Sequence, residues 1–327
     1  MGNFMQTSAI KDSVITMLIL AVLGLVGIYI PSLMIIIQLF WAVPLIIVSV
    51  CHGLTVGFYT ALAVGLIHFF LLGPAQASIL FLQYAGISFV YGLTIRRGLK
   101  PGISMVMGAV AVIISFALVA LLLISVLGFE PNYFSRQLQA SIDPLIEMYR
   151  AEGLFNTDYP FLTEETLREQ LEELVVFLTR LFPAFFALWG ALLATTNYLI
   201  ARRALKRIAP ARVFPPFSPL KEWRLPWWIV WGFLGGYGAY LLGDYYQIEG
   251  LLAVGQNIIM VYLPVFFILG CAVLSFLFGK YNMSRALPWV FLCLFLLFGL
   301  LPLAIIAGVG LMDLLFNYRR KAESKPS

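Results

Sequence analysis

Five polar side chains stand out in a stretch that is otherwise almost pure hydrocarbon: Gln38, His68, Gln76, Gln83 and Tyr84. Amides, an imidazole and a phenol donate and accept hydrogen bonds, so the chemistry they offer is recognition of a small neutral or weakly polar molecule. Gln76, Gln83 and Tyr84 share one helical face at steps of seven and one. The same groups could instead bond one another between helices, where such contacts contribute about 0.6 kcal/mol each. Material for catalysis is missing. His52 and His68 have no Ser or Cys nucleophile beside them on a shared face, no carboxylate pair falls within an apolar run, and no nucleotide loop occurs. The sequence therefore reads as a protein that is not an enzyme and uses no cofactor or metal.

The elements that position these groups follow from charge. Between Ser13 and Ile95 the chain carries no Asp, Glu, Lys or Arg for 83 residues. With 61% hydrophobic and 11% charged residues and a mean hydropathy of +0.95, the composition is that of an integral membrane protein. Lipid offers backbone amides no partner, so the crossings are α-helices of roughly 20 residues. Turn residues divide the chain into spans at about 13–30, 33–51, 54–72, 77–95, 101–128, 181–201, 226–243, 251–278 and 287–317. The first apolar run is too long for a secretory signal and has no small-x-small cleavage pattern after it, so it is expected to stay. The last run holds Gly299 and Pro302 midway, which predicts a hairpin of two short helices or one deeply kinked span.

The expected organisation is all-α: a six-helix membrane core over 1–205, a basic, Pro-rich cytoplasmic loop over 206–225, a further transmembrane block over 226–318 and a cytoplasmic tail over 319–327. Within the core, residues 130–180 form an amphipathic segment outside the cytoplasm; Glu130 to Arg180 holds ten acids and four bases. The stretch from Arg202 to Arg224 holds seven bases and one acid. Lys- and Arg-rich loops stay in the cytoplasm, so Arg96, Arg97, Lys100 and the 202–224 stretch mark the inside. Counting back through four crossings puts the N-terminus in the cytoplasm, with a bacterial inner membrane as host. The net charge of +5 is accounted for by these helix-end runs, not by nucleic acid.

Local patterns add detail. Gly53, Gly57, Ala61 and Gly65 recur at spacing four and predict a helix-packing face on the third span; Gly235, Ala239 and Gly243 repeat it in the seventh, with Gly232 and Gly236 as a second small pair. Thr163 can cap a helix bearing Leu167, Leu171, Leu174 and Leu178, which runs on into the sixth span through a kink at Pro183, its stripe lying over the bundle mouth or on headgroups. Trp223, Trp227 and Trp228 read as interfacial anchors. Asp313 is expected to pair with Arg319 or Arg320, and Asn197, Gln256 and Asn257 to tie helices together. Residues 214–219, Phe-Pro-Pro-Phe-Ser-Pro, read as a stiff linker or an extended partner segment. Cys51, Cys271 and Cys293 have no pairing or metal spacing.

Two resemblances rest on particular residues. Pro183-Ala184, Asn197-Tyr198, Ala201-Arg202-Arg203, Phe214-Pro215-Pro216-Phe217, Trp223-Arg224-Leu225-Pro226 and Gly310-Leu311-Met312-Asp313 resemble the YybS-like bacterial membrane proteins, over essentially the whole chain. Pro31, Pro44, Gly53, Gly57 and the six-span count resemble the S components of energy-coupling factor vitamin transporters. That likeness implies a small-solute pocket near the outer face, transport, and a cytoplasmic ATPase or coupling module supplied by partners. The chain departs from it in spacing Ala21, Gly24 and Gly27 by three, and in its added C-terminal helices. The alternative expectation is a membrane scaffold or regulatory partner of cell-envelope proteins.

Overall fold

The computed structural model describes residues 2–130, 132–153, 155, 163–210, 214–281, 299 and 301–323, and the described chain is helical with no strand. Its helices are α1 (Gly2–Tyr29), α2 (Pro31–Gln38), α3 (Val43–His52), α4 (Leu54–Leu72), α5 (Pro74–Arg96), α6 (Pro101–Ser125), α7 (Tyr133–Ala140), α8 (Ile142–Ala151), α9 (Glu164–Ile208), α10 (Ile229–Tyr245), α11 (Glu249–Lys280), α12 (Leu301–Phe316) and α13 (Tyr318–Glu323). Seven stretches among the described residues are long and apolar enough to cross a membrane. The chain forms two compact units, one of Met1–Gln137 with Phe185–Phe217, the other of Leu138–Ala184 with Ser218–Ser327. Residues 138–180 of the predicted amphipathic segment thus group with the C-terminal block, while 130–137 stay with the first unit.

In the first unit, Pro31, Pro74 and Pro101 open α2, α5 and α6, where a missing N–H costs nothing. Pro44 does something different. As the second residue of α3 it cannot continue α2, because its ring would collide with the carbonyl four residues earlier, so the second span breaks over residues 39–42. Gly53, at φ +110°, separates α3 from α4, a conformation that disfavours any side chain. The predicted packing face therefore needs correction: Gly53 lies outside the helix, while Gly57 packs on Ser49 of α3 and Gly65 on Phe81 of α5, with Ala61 buried between. Tyr91 of α5 lies across Gly108 of α6 and donates to the Ala194 carbonyl of α9 at 2.7 Å. Residues 214–217 are neither a free linker nor an offered strand. The buried Arg202 guanidinium sits 4.6 Å from the Phe217 ring centroid and 5.6 Å from that of Phe214, donating also to the Pro215 carbonyl.

In the second unit, the Thr163 hydroxyl accepts the Thr166 amide at 3.1 Å, capping α9. Of the leucine stripe, Leu167 and Leu171 pack with Val175 against Ile142 and Ile146 of α8. Arg150–Glu164 at 2.6 Å and Arg168–Asp143 at 2.8 Å stitch the same two helices. Helix α9 runs through Pro183 with a bridge in its hydrogen-bond ladder. The Asn257 amide of α11 accepts from the Ala184 N–H at 2.7 Å and donates to the Arg180 carbonyl at 2.6 Å, spanning a pair that an uninterrupted helix would join directly.

Helices α10, α11 and α12 pack through glycine. The contact face of α10 is Gly232, Gly236 and Gly243; a side chain at Gly235 would meet open space, so the predicted Gly235–Ala239–Gly243 face holds only in part. Gly270 and Gly310 bring the α11 and α12 backbones into direct contact. Asp313 pairs with Arg319 at 2.8 Å, both buried, and Arg319 donates to the Lys221 carbonyl. Trp227, Trp228 and Trp231 are exposed at one end of α10, Tyr245 and Tyr246 at the other, as aromatic anchors of a crossing helix would be. Gly299 at φ +60° precedes α12, and the first arm of the predicted hairpin, 287–298, lies outside the described residues together with Cys293.

The Arg150 guanidinium holds the Glu164 carboxyl below its ordinary range by hydrogen bonding. A lowered carboxylate adds stability above its unfolded value and loses it as pH falls through the lowered one. Hydrogen exchange of α8 is therefore expected to accelerate on acidification from about pH 4.5 downward, with a smaller acid step in Glu164→Gln.

Candidate functional site

The break between α2 and α3 frees backbone groups at membrane depth, and the surrounding helices meet them. The Gln38 carbonyl accepts from Asn197 Nδ2 of α9 at 3.0 Å, while the Ala42 carbonyl, which already takes the Ile46 N–H at 2.9 Å, accepts the Ser88 hydroxyl of α5 in addition at 3.4 Å. Around this point a polar node forms. Gln38 Nε2 donates to Gln83 Oε1 at 3.5 Å, Trp189 Nε1 donates to Gln38 Oε1 at 3.3 Å, and Asn197 Nδ2 also donates to the Leu193 carbonyl at 2.9 Å. Gln38, Gln83, Ser115 and Asn197 border a small cavity of about 10 Å³ beside Trp41 and Phe116.

The other predicted residues divide. His68 Nε2 donates to the Leu20 carbonyl at 3.2 Å, its ring filling the notch left by Gly24, while His68 Nδ1 has no partner among the described residues. Because a carbonyl only accepts, Nε2 carries the proton in this arrangement. Tyr84 stacks edge-on with Trp41 at 5.6 Å, Phe81 at 5.8 Å and His68 at 6.2 Å, and its hydroxyl reaches the Ala61 carbonyl at 3.4 Å. His68 and Tyr84 thus belong to an aromatic cluster next to the node, and both are buried. Gln76 stays apart, exposed in the first turn of α5.

Three contributors were not singled out from the residues: Trp189, Trp41 and Ser115. A further pair also escaped notice. His52 Nε2 lies 2.8 Å from Asp12 Oδ2, joining the end of α3 to α1. Span parity was the available signal, since it puts residue 12 and residue 52 at the same face.

On the other side of the α5–α6 seam lies a larger groove of about 450 Å³. Its walls are apolar, with Leu45, Phe81, Phe89, Ile114 and Leu118 among them, and three hydroxyls, Ser49, Ser88 and Ser115, interrupt them. Ser115 borders both the groove and the small cavity. A side chain at Gly86 would come within 3.0 Å of Ser115 Oγ, so the seam is close-fitting there. Such a surface suits an apolar body with few polar groups.

A family model described as "Predicted membrane protein (DUF2232)" matches residues 18–314, from the middle of α1 to the end of α12. The chain belongs to this family. Among curated proteins it is similar to the "Uncharacterized protein YybS" of Bacillus subtilis (strain 168), 24% identical over 326 residues that cover 97% of this chain and 99% of that one. No solved structure matches the chain. The DUF2232 match thus takes in the polar node, the groove and the glycine contacts of the second unit alike, and the resemblance to YybS-like proteins drawn from the motifs agrees with it.

Tyr84 is placed to hold helices together. Tyr84→Ala is expected to lower stability by about 3–5 kcal/mol, while Tyr84→Phe, which keeps the ring, changes it by about 1 kcal/mol. Unfolding in mixed micelles measures both.

Proposed function

We propose that this DUF2232 protein binds a small solute in its first unit and carries it across a bacterial inner membrane, in the manner of an S component, with its N-terminus in the cytoplasm. The observation that supports solute binding best is the groove: about 450 Å³ falls within the 300–1,000 Å³ range of small-molecule sites, and its walls are mainly apolar with a few hydroxyls. The polar node behind Ser115 adds hydrogen-bonding capacity of the kind that confers orientation on a ligand. The sequence has no nucleotide loop, so active transport would draw its energy from a partner module.

The orientation draws support from the cations. Helices α5 and α9 run parallel, since Gln83 meets Trp189 through Gln38 while Tyr91 meets Ala194 and Tyr198 farther along both. Arg96 and Arg97 at the end of α5, Lys100 before α6, and Arg203, Lys206 and Arg207 at the end of α9 are all exposed and therefore gather at one face of this unit. Such a gathering belongs on the cytoplasmic side.

Two measurements test the reading. Protein extracted directly into nanodiscs is expected to yield by mass spectrometry a small molecule that is lost from Ala85→Phe, which fills the groove; ligand-free wild-type protein together with a flat thermal-shift screen of metabolites would overturn it. In a variant whose own cysteines are replaced, an impermeant maleimide is expected to label Glu152→Cys in cells with a permeabilised outer layer, and Arg207→Cys only once the inner membrane is opened. The reverse pattern would put the N-terminus outside.

A further inference from the structure

We propose that the solute is an amphiphile with an apolar body and one compact hydrogen-bond donor, a hydroxyl or amino group, and that Asn197 Oδ1 reads that donor. This rests on the solute-binding reading of the groove and adds the chemical class. The orientation of the Asn197 amide is determined by its surroundings. Its Nδ2 donates to two carbonyls, those of Gln38 and Leu193, and a flipped amide would set oxygen against oxygen at both. Oδ1 must therefore point the other way, and there it has no partner among the described residues although Asn197 is 1% exposed.

The cavity that Asn197 borders has room for about one non-hydrogen atom of the size of water oxygen. Of its other polar walls, Ser115 Oγ gives its proton to the Ala111 carbonyl at 2.9 Å, which leaves lone pairs, and the Gln83 amide presents an Oε1 already engaged by Gln38 Nε2 beside its own N–H donors. No Lys or Arg borders either the cavity or the groove. A carboxylate head would meet the Asn197 and Ser115 acceptors without a cation to offset its charge, whereas a hydroxyl or amine supplies the proton that Asn197 Oδ1 lacks. Ser115 borders both spaces, so a body in the groove would direct its head toward Asn197 by parting the close-fitting seam between Gly86 and Ser115. Water is the competing occupant of the head position, and a donor-bearing solute would replace it.

The test uses full-length protein in nanodiscs and two photoreactive probes, a decanol carrying a mid-chain diazirine and the methyl ether of the same molecule. Cross-linking at groove residues is read by peptide mass spectrometry. The alcohol is expected to label the groove saturably, with about tenfold preference over the ether. The preference should fall to unity in Asn197→Leu and also in Ser115→Val, which fills the cavity while leaving the Gln38–Gln83–Trp189 contacts in place. Gln76→Leu, remote from the node, should keep it. Equal labelling by alcohol and ether, or a preference that survives both Asn197→Leu and Ser115→Val, overturns the donor-head inference and leaves the groove reading standing. Absence of saturable labelling by either probe, with no effect of Ala85→Phe, overturns both.

Discussion

A polypeptide in hydrocarbon has no solvent to satisfy a stray N–H or carbonyl, so every departure from the helical ladder must be met from within. Among the described residues Pro44, Pro183 and Pro264 each interrupt the ladder of an apolar segment, and at the first two an asparagine supplies what is missing. Pro44 stops the second span, and Asn197 accepts responsibility for the Gln38 carbonyl left behind. Pro183 interrupts α9, and Asn257 spans Arg180 and Ala184. The amide is suited to such places because it carries a donor and an acceptor on one small planar group.

The polar node of the first unit is a by-product of that requirement. Once α2 ends within the bilayer, an amide must be brought to it, and the packing that brings Asn197 also brings Trp189, Gln83 and Ser115 into the same neighbourhood. The second unit meets the constraint differently. There the glycines at 236, 243, 255, 270 and 310 allow backbones to approach closely, and dispersion between them replaces the hydrophobic drive that lipid does not provide.

Much of the architecture is legible in the residues because charge and hydrophobicity vary over lengths comparable with a helix. Helices cover each of the first eight expected spans, apart from the break in the second, with α1 beginning earlier, at Gly2, and α9 reaching back to Glu164, and Thr163 caps the helix it was expected to cap. What escaped depends on which face of a helix meets which neighbour. Gly232 and Gly236 form the contact while Gly235 does not, although all three fit a small-residue rule. Gln38 and Gln83 meet, but Gln76, two turns earlier on the same helical face as Gln83, is exposed. Trp189 carries no sequence signal beyond being a tryptophan in a span. The grouping of residues 138–184 with the C-terminal block likewise depends on pairings such as Arg180 with Glu249, which lie 69 positions apart.

The bridge at Asn257 restricts the alphabet of that position severely. Aspartate, which spontaneous deamidation would produce, turns the nitrogen facing the Arg180 carbonyl into a second oxygen. Leucine keeps the volume but abandons both partners, and serine falls short of them. Glutamine has the right atoms on a tether one methylene too long. The boundary between the two compact units falls at Ala184, one of the residues that this amide grips, so the backbone's passage from one unit to the other runs beside a joint with a single chemically apt occupant.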